Sequence, residues 1–500
     1  MNKRVVIVLA LAVMLVPTVV FAGGDSEGGQ EYEQVVYAYA TFNNIPDGAP
    51  LSDVEDAINA ITRDRIGVEV DLMPIAIWDY GSQVSLELQS GEKIDVFESL
   101  GDFPNSVATG MAYDITDIAP ENAAESMDLF SEEWLAACTV DGRLYGFPTY
   151  KPIALTPMVV YRRDIAEELG LDMSRVNSPY DLLGIFRAVE AAYPEMTPMA
   201  AVSGGDLGLV RTIPQMDYLG DSFVNPMGVL LGPELEVVNL YDTEEFANIV
   251  GLARTFYNEG LVMRDAATTS STAAELMASG NYFCYVASYS YPEADTAASL
   301  EPQCGGYPLG AKMIGDAYLS TADINMLTWM VSANSDVPEA ALRFLNLTMT
   351  DQQIVNLLIY GIEGRDYVLT DQGTARYPDG NDASTVPYTA QLSCGTLGNF
   401  FNMYPMLGTD PASLVWELDQ NINAATSPAM GFTFDSSGTR TEYTAVVNVI
   451  QQYLPGLSCG SLDPATGIPE FLDRLDQAGL PTIIQAKQTQ LDAWARQVGL

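Results

Sequence analysis

The sequence contains no histidine, and it has only 22 Lys and Arg against 66 Asp and Glu, which gives a formal net charge of −44 at pH 7. The lack of histidine excludes Ser-His-Asp and Cys-His catalytic sites, His-ligated metals and the usual titration near neutral pH. The shortage of cations argues against nucleic-acid binding and against anionic membrane surfaces, because both depend on Lys and Arg. Any chemistry would have to use carboxylates, Tyr, Lys, Arg or Cys.

Cysteine is scarce, and no C-x-x-C pair occurs, which argues against a zinc ribbon or a thioredoxin-like centre. In an oxidising compartment Cys284 could pair with Cys304, and Cys394 with Cys459, leaving Cys138 free. Buried unpaired thiols are the alternative. No cofactor and no His- or Cys-ligated metal is predicted, while an oxygen-only calcium site stays open.

The first 22 residues predict a secretory signal peptide. Lys3 and Arg4 precede an apolar stretch, Val5 to Val20, and small residues at positions −3 and −1 favour cleavage after Ala22. An uncleaved anchor is the alternative, but the stretch is shorter than the ~20 residues of a spanning helix and Pro17 interrupts it. No Cys lies near the cleavage point, so lipidation is not expected. Residues 23–30 form a short flexible leader, and we expect a periplasmic or extracellular protein.

Strands and helices alternate along the mature chain, whose 500-residue length and 48% hydrophobic content suit two or more domain-sized units. The first series reads strand 35–42, a helix from the capping box at Ser52 to Gly67, strand 68–72, helix 80–90 and strand 94–97. This β-α-β-α-β order favours a parallel sheet with helices on its faces. Ligands would then sit beyond the carboxyl ends of the strands, near loops 42–47, 73–80 and 98–102.

A second series follows Lys151, with a strand over 158–161, a helix over 163–169 and helix starts near Ser178, Asp242 and Asp336. The C-terminal segment from Pro469 predicts a helix that stops at Gly479, followed by a last helix. No short-period repeat and no Gly/Pro-rich linker separates the two series. The residues alone therefore predict two α/β units.

Several motifs carry a family resemblance. SGEKIDVF (90–97), DGRLYGFP (141–148) and YRRDIAEELGLD (161–172) occur in the order and spacing of extracellular solute-binding proteins of ABC importers, family 1, the maltose-binding-like cluster. YGIEGRDYVLT (360–370), RYPDGNDAS (376–384), SPAMGFTFD (427–435) and QLDAW (490–494) are similar to a carbohydrate-importer, lipoprotein-type subgroup with an extended C-terminal region. The chain lacks that subgroup's lipobox cysteine, which speaks against membrane anchoring.

The resemblance implies an α/β fold of the periplasmic-binding-protein type, in which two lobes joined by a hinge close on a solute in the cleft between them. Lobe 1 would combine residues 31–152 with 312–365, and lobe 2 would combine 153–311 with 366–500. The chain would cross near Thr149 to Pro152, near Gly310 to Lys312 and just after Arg365. The implied function is capture of a carbohydrate, an oligosaccharide in particular, by a monomer that delivers it to ABC transporter permease subunits in the membrane.

Candidate solute contacts lie at predicted strand ends and crossings. Sugars present C–H faces that stack on aromatic rings and hydroxyls that need donors and acceptors. The candidates are Asn43, Asn44, Trp78, Tyr80, Glu98, Asp102, Tyr150, Tyr289, Trp329, Glu363, Arg365 and Asn399. Core packing is the alternative for each aromatic, a turn for Asn43 and Asn44, and a structural ion pair for Glu363 and Arg365.

Other classes of function compete with this one. A secreted glycosidase would need two carboxylates about 5 to 9.5 Å apart, for which Glu98 and Glu363 can be nominated. No motif singles out a nucleophile or an acid, so we expect a binding protein and not an enzyme. A peptide or another polar solute remains an alternative ligand, and a surface adhesin is disfavoured because the chain has no repeats and no wall anchor.

Overall fold

The computed structural model describes residues 32–42, 47–390 and 396–500. The predicted signal peptide, the leader, Asn43, Asn44 and Cys394 lie outside the described residues. All contacts given below lie within Glu33–Leu500.

The described strands are β1 (Glu33–Thr41), β2 (Val68–Ala76), β3 (Val96–Glu98), β4 (Thr139–Val140), β5 (Arg143–Leu144), β6 (Phe147–Pro148), β7 (Thr156–Arg162), β8 (Thr197–Met199), β9 (Met216–Asp217), β10 (Leu230–Leu231), β11 (Tyr282–Tyr289), β12 (Leu309–Met313), β13 (Tyr318–Leu319), β14 (Thr328–Val331), β15 (Val368–Leu369), β16 (Ala375–Arg376) and β17 (Ala425–Thr426). Among them, β1, β2, β7 and β11 are seven to nine residues long, and the others are shorter.

Helices separate most of these strands, and three long ones end the chain. They are α1 (Gly48–Ile66), α2 (Ile77–Ser90), α3 (Phe103–Ala108), α4 (Ala119–Asn122), α5 (Ala124–Leu129), α6 (Glu132–Ala137), α7 (Arg163–Leu169), α8 (Leu182–Ala192), α9 (Glu244–Asn258), α10 (Ala273–Ala278), α11 (Glu293–Leu300), α12 (Thr321–Asn325), α13 (Pro338–Thr350), α14 (Gln352–Tyr360), α15 (Pro411–Asn423), α16 (Arg440–Ser458), α17 (Pro464–Ala478) and α18 (Leu480–Val498).

The first sheet has the strand order β2-β1-β3-β14-β6. β1 runs parallel to β2 and β3, while β14 runs antiparallel to β3 and to β6. β1 is buried on both faces from Val35 onward, apart from the partly buried Val36, which explains its near-continuous apolar sequence. One core surrounds this sheet and includes side chains of α1, α2, α13 and α14.

The second sheet has the order β12-β7-β11-β8, with β7 antiparallel to both of its neighbours and β8 parallel to β11. Side chains alternate between its two faces. Val159 lies in a large core that also holds Phe256 and Phe471, whereas Met158 and Val160 lie in a smaller core on the other face. Side chains of α16, α17 and α18 fill part of the large core, so the C-terminal region packs on the second sheet.

The predicted β-α-β-α-β series is confirmed as β1-α1-β2-α2-β3, with Gly67 and Gly91 ending the two helices in the left-handed conformation. The start of α1 was predicted wrongly, because the helix begins at Gly48 and not at Ser52. Pro50 suggested a loop, but proline fits the first turn of a helix, where its missing N–H is not needed. α17 likewise begins at Pro464 and contains Pro469 within it.

Three chain passages connect the two sheets. The first follows β6 and consists of residues 149–155, a range that includes Thr149 to Pro152. Lys312 pairs with Val159 inside the second sheet, so the second passage begins after Met313, slightly later than predicted. The third passage contains β17, which pairs in parallel with β13 of the second passage through Tyr318↔Ala425 and Leu319↔Thr426.

The predicted lobe bounds stay a prediction, but packing bears on one of them. Tyr367, Tyr388, Leu397 and Met403 belong to the core of the first sheet, although they fall in the range assigned to lobe 2. A division of the chain by cores would therefore keep this segment with the first sheet.

The predicted disulfide between Cys284 and Cys304 is wrong, since both are buried free thiols. Cys284 points into the large core of the second sheet, whereas Cys304 packs with Tyr285 in the smaller core on the opposite face. Cys459 is also a free buried thiol, as is Cys138.

Within the ranges that the structure covers, no helix is both long and apolar enough to cross a membrane. Over the same ranges, no three His, Cys, Asp or Glu side chains group in a way that could hold a metal ion.

Candidate functional site

The carboxyl ends of β1, β2, β3 and β6 lie along one edge of the first sheet, because these four strands run in the same direction. We call this the first edge. The chain leaves β6 at this edge and enters the passage to the second sheet. Ligands of open α/β sheets bind beyond the carboxyl ends of strands, so the first edge is where a site is expected.

Two exposed aromatic side chains extend from the first edge. Phe42 directly follows β1. Trp78 is the second residue of α2, which directly follows β2, and 80% of its surface is exposed. Their ring centroids lie 6.2 Å apart in an edge-to-face arrangement. Large aromatic rings are seldom left so exposed without a partner, and rings of this kind stack on the C–H faces of sugars.

A strained turn follows β3 at the same edge. Leu100 has φ 42°, a left-handed conformation that is costly for a residue with a branched side chain. The N–H of Gly101 donates to the carbonyl of Met326, and the Met326 side chain is exposed. The exposed Asp102 carboxylate accepts a hydrogen bond from Asn105 Nδ2 at 2.8 Å. The turn therefore presents an acceptor and an apolar side chain at the same edge of the first sheet as the aromatic pair.

The second sheet has a corresponding edge, which we call the second edge, where β7 begins and β11 ends. Thr156 pairs with Tyr289 there. The hydroxyls of Tyr289 and Tyr285 lie 2.7 Å apart and share a hydrogen bond. Leu155 and Tyr291, which flank these strand ends, are both exposed.

Tyr150 lies on the passage between the two edges. Its ring is half-buried and makes edge-to-face contacts with Phe130, Trp134 and Phe401 at centroid distances of 5.4, 5.9 and 5.4 Å. Burial raises the pKa of its hydroxyl above the ordinary value. Its carbonyl accepts the N–H of Phe400 at 2.8 Å, so the passage is tied to the segment that follows Leu397.

Helix α15 lies against the first passage with a buried polar face. Asn421 Oδ1 accepts the N–H groups of Ile153 and Ala154 at 3.0 and 3.1 Å. Two turns earlier on the same face, the Ser413 hydroxyl donates to the carboxylate of Asp295 in α11. The helix therefore connects the passage to the second sheet's side of the molecule.

Two buried carboxylates have no hydrogen-bond partner among the described residues, namely Glu98 at the end of β3 and Glu417 in the middle of the buried face of α15. Burial raises the pKa of Glu98 to about 8, with Lys151 opposing the shift. Burial raises the pKa of Glu417 to about 7, and the charge of Asp295 adds to it. Buried carboxylates without a hydrogen-bond partner are rare in native proteins. Because burial disfavours the charged form, Glu98 and Glu417 both hold a proton more readily than an ordinary carboxyl group.

Two of the aromatic candidates are core residues, which corrects their predicted role. Tyr80 is fully buried, and its hydroxyl accepts the N–H of Glu98 at 2.8 Å, so it stabilises the end of β3. Trp329 is also fully buried and stacks on Tyr37 at 4.7 Å. Its indole N–H donates to the carbonyl of Thr396 at 2.9 Å, which satisfies its polar atom inside the core.

Two polar candidates, Asn399 and Arg365, have structural partners, and a third, Glu363, is exposed. Asn399 is buried, and its side chain caps the short 3₁₀ turn Phe400–Asn402. Arg365 forms an ion pair with Asp366 at 2.7 Å. A structural ion pair was the alternative for Arg365, but its acidic partner is Asp366 and not Glu363. Glu363 itself is exposed.

A pocket opens between the loop after β8 and α16. Because β8 runs parallel to β11, this loop leaves the second sheet in the direction of the second edge. The pocket encloses about 840 Å³, including its open mouth. Inside it, the Arg211 guanidinium lies 4.1 Å from the centroid of the Phe223 ring and 3.0 Å from an Asp206 carboxylate oxygen. Gln451 of α16 lines the opposite wall.

The structure thus places Trp78 and Asp102 at the first edge, Tyr289 at the second edge and Tyr150 between them. Sequence reasoning missed five residues that the edges and the pocket present: Phe42, Arg211, Phe223, Tyr291 and Met326. Phe42 and Tyr291 could have been found, because Phe42 ends the predicted strand 35–42 at a loop where a ligand was expected, and Tyr291 follows the β-rich run 282–289. Arg211 lies in the single 3₁₀ turn Val210–Thr212 and Phe223 in a loop, and neither stretch has a sequence period that marks the side chain facing the pocket.

Comparison with protein families gives two matches. Residues 56–361 match the family described as bacterial extracellular solute-binding protein. Residues 428–496 match a domain of unknown function. Among curated proteins, the chain is 23% identical over 499 residues to a carbohydrate ABC transporter substrate-binding protein of Streptococcus pneumoniae, covering 98% of this chain and 97% of that protein.

Comparison with solved structures gives the same fold. The N-glycan transport solute-binding protein of Streptococcus pneumoniae is 21% identical and aligns with a TM-score of 0.75, covering 92% of this chain and 99% of that one. The same protein in complex with Man5GlcNAc is 22% identical over the same shares of both chains, with a TM-score of 0.61. An HMO-binding solute-binding protein of Bifidobacterium longum infantis is 13% identical with a TM-score of 0.64, covering 93% and 99%.

Proposed function

The chain belongs to the bacterial extracellular solute-binding proteins, and from that premise we propose that it binds an oligosaccharide between the first and second edges and delivers it to the permease subunits of an ABC importer. A member of this family works outside the cytoplasm, so the chain is an exported protein.

The observation that carries the proposal is the set of exposed aromatic rings on both edges. Phe42 and Trp78 extend from the first edge, while Tyr291 and Phe223 lie on the side of the second. A pyranose offers apolar C–H faces between rims of hydroxyl groups, so aromatic rings on both edges, with an acceptor such as Asp102 at the first edge, suit an oligosaccharide. A peptide would be expected to find pockets for side chains or a free strand edge.

The comparisons support a carbohydrate without naming it. The curated relative is a carbohydrate transporter component, and the structural neighbour carries N-glycans. That neighbour resembles this chain less in its Man5GlcNAc complex (TM-score 0.61) than in the structure described without a ligand (TM-score 0.75). A rearrangement of the two sheets on binding would produce such a difference, and hinge closure is a common response of binding proteins to their solute.

We expect the solute to be released unchanged. Glu98 and Glu417 have raised pKa values, yet they lie on separate elements, the end of β3 and the middle of α15, and neither carboxylate has a hydrogen-bond partner among the described residues. Export is proposed to end with cleavage after Ala22 and without lipid, so mature protein should partition into the aqueous phase in a detergent test and begin at Gly23.

A thermal-shift screen followed by calorimetry tests the function. The panel contains Man5GlcNAc, maltohexaose, cellohexaose and mannohexaose, with glutamate-rich peptides and polyamines as non-sugar controls. A true solute at 100 times its Kd should raise the unfolding free energy by about 2.7 kcal/mol. Chromatography after prolonged incubation should recover the sugar intact. Stabilisation by the non-sugar controls alone, or recovery of cleaved sugar, would contradict the proposal.

A further inference from the structure

The C-terminal segment that matches a domain of unknown function, residues 428–496, contains α16, α17 and most of α18. Its side chains enter the large core of the second sheet, Ile450 and Phe471 among them. Packing alone would explain a structural extension. Two further features connect the segment to the pocket between the loop after β8 and α16.

The first feature is a close approach between α16 and the loop that follows β8. Gly205 has φ 90°, and a side chain added there would lie 2.5 Å from Cα of Pro455 in α16. Only glycine therefore allows this contact. The contact closes the back of the pocket, where Gln451 and Ser458 of the same helix supply polar groups.

The second feature is Lys487 of α18, a fully buried cation. Its ammonium group donates to Asp221 Oδ2 at 2.6 Å, to the Gly228 carbonyl at 3.0 Å and to the Tyr218 carbonyl at 3.3 Å. Lys487 thus holds both ends of residues 218–228. The middle of that loop carries Phe223, whose ring is 51% exposed at the pocket.

The pocket has the chemistry of a site for a neutral sugar unit. The Arg211 guanidinium packs on one face of the Phe223 ring and forms an ion pair with Asp206. Because the charge of Arg211 is already neutralised by Asp206, the pocket does not favour an anionic group. Arg211, Asp206 and Gln451 offer donors and acceptors for hydroxyl groups around an aromatic platform. Since α16 closes the back of the pocket, the pocket suits the end of a chain of sugars and not its middle.

We infer that residues 428–496 are a specificity element of the solute site: α16 forms the wall of a subsite for one terminal, uncharged sugar unit, and α18 fixes the loop that carries its aromatic platform. The inference rests on the proposed function. It assigns the segment a role in choosing the length and the end of the oligosaccharide.

Two variants with matched controls test this subsite. Gln451→Ala removes a pocket side chain, and Gln452→Ala changes its equally exposed neighbour outside the pocket. Phe223→Ala removes the platform, and Tyr180→Ala removes an aromatic ring that is also 51% exposed but lies outside the pocket. All four side chains are exposed, so folding should be retained, which thermal melts check.

Calorimetry is carried out with the tightest-binding oligosaccharide of the panel and with its disaccharide, Man1GlcNAc being the short partner of Man5GlcNAc. Gln451→Ala should weaken binding of the long ligand about fivefold and Phe223→Ala about tenfold, with both controls like the parent. Neither variant should alter the affinity for the disaccharide if it occupies only the space between the edges.

The outcomes separate the two proposals. If the parent binds no sugar of the panel, the proposed function fails and the inference fails with it. If the parent binds a sugar but Gln451→Ala and Phe223→Ala leave the affinity for the long ligand unchanged, the specificity role of residues 428–496 is overturned while sugar binding stands. Equal losses for long ligand and disaccharide would also overturn a terminal subsite.

Discussion

Replacing Lys487 by Met should lower the free energy of unfolding by about 3 to 5 kcal/mol, because the change leaves a charged partner buried and unpaired. Lys487 is fully buried and Asp221 is 8% exposed. Burial lowers the pKa of the lysine and raises that of the aspartate, so each charged form depends on the other for compensation inside the fold.

The structure also predicts how much a second change restores. After Lys487→Met, the Asp221 carboxylate keeps one hydrogen bond, from the N–H of Met227 at 2.7 Å. The double variant Lys487→Met, Asp221→Leu removes the unpaired charge but leaves that N–H without an acceptor. An apolar replacement of a buried ion pair is often close to neutral, and an unpaired buried N–H costs about 1 to 3 kcal/mol. The double variant should therefore be more stable than the single one.

Urea unfolding, followed by far-UV circular dichroism, measures these differences. Arg187→Met is the matched control, because Arg187 and Glu259 form an ion pair of similar length, 2.7 Å, on the surface. An exposed pair is worth about 0 to 1 kcal/mol, so this variant should unfold almost like the parent. If Lys487→Met costs no more than Arg187→Met, or if the double variant loses the sum of both single losses, the reasoning from buried charge is refuted.

Three further predictions concern the edges and the passage. Burial raises the pKa of Glu98 from 4.5 to about 8, so its contribution to stability is complete below about pH 4.5 and is lost as the pH rises through about 8. Between pH 5 and 8 the unfolding free energy should therefore fall by up to about 1.4 kcal/mol per pH unit, and Glu98→Gln should flatten this fall. An unchanged slope in urea titrations of the variant would show that Glu98 is ionised in the parent. Trp78→Ala should weaken oligosaccharide binding about tenfold in calorimetry with little change in melting temperature. Trp329→Ala should lower the free energy of unfolding by about 3 to 5 kcal/mol. The reverse pattern would contradict the exposed position of Trp78 and the buried position of Trp329. Tyr150→Phe should keep the melting temperature while Tyr150→Ala lowers it, because three rings contact the Tyr150 ring; equal melts for both would speak against that packing.

The alternation of strands and helices was predictable because local pattern and tertiary packing agree in the first sheet. Apolar residues in β1 and helix stops at Gly67 and Gly91 specify the same elements that the fold uses. The start of α1 was not predictable from its capping box, since a helix that begins with Gly-Ala-Pro is stabilised by packing and not by its cap.

The site was less predictable, and Trp78 and Trp329 explain why. Both tryptophans were candidates for the solute site, yet Trp78 is 80% exposed and Trp329 is fully buried. Trp329 lies in a strand that is covered on both faces, and this depends on strand β14 being inserted between β3 and β6 from far along the chain. Residue type and spacing carry no information on such an insertion.

The cysteine pairing failed for a similar reason. A separation of about twenty residues is compatible with a disulfide, but the two-residue period of β11 directs Cys284 to one face of the second sheet while Cys304 packs on the other. The family resemblance placed the chain from residue 366 onward in lobe 2. Tyr367, Tyr388, Leu397 and Met403 nevertheless pack in the core of the first sheet.

The pairing of β13 with β17 has a mechanical consequence. Two of the three passages run side by side in the same direction and share backbone hydrogen bonds, and the N–H of Ser427 extends this contact by donating to the Leu319 carbonyl at 2.8 Å. Neither passage can bend or slide without carrying the other with it. We therefore expect the two passages to bend together when one sheet rotates against the other, so that a single hinge angle would describe how far the two edges stand apart.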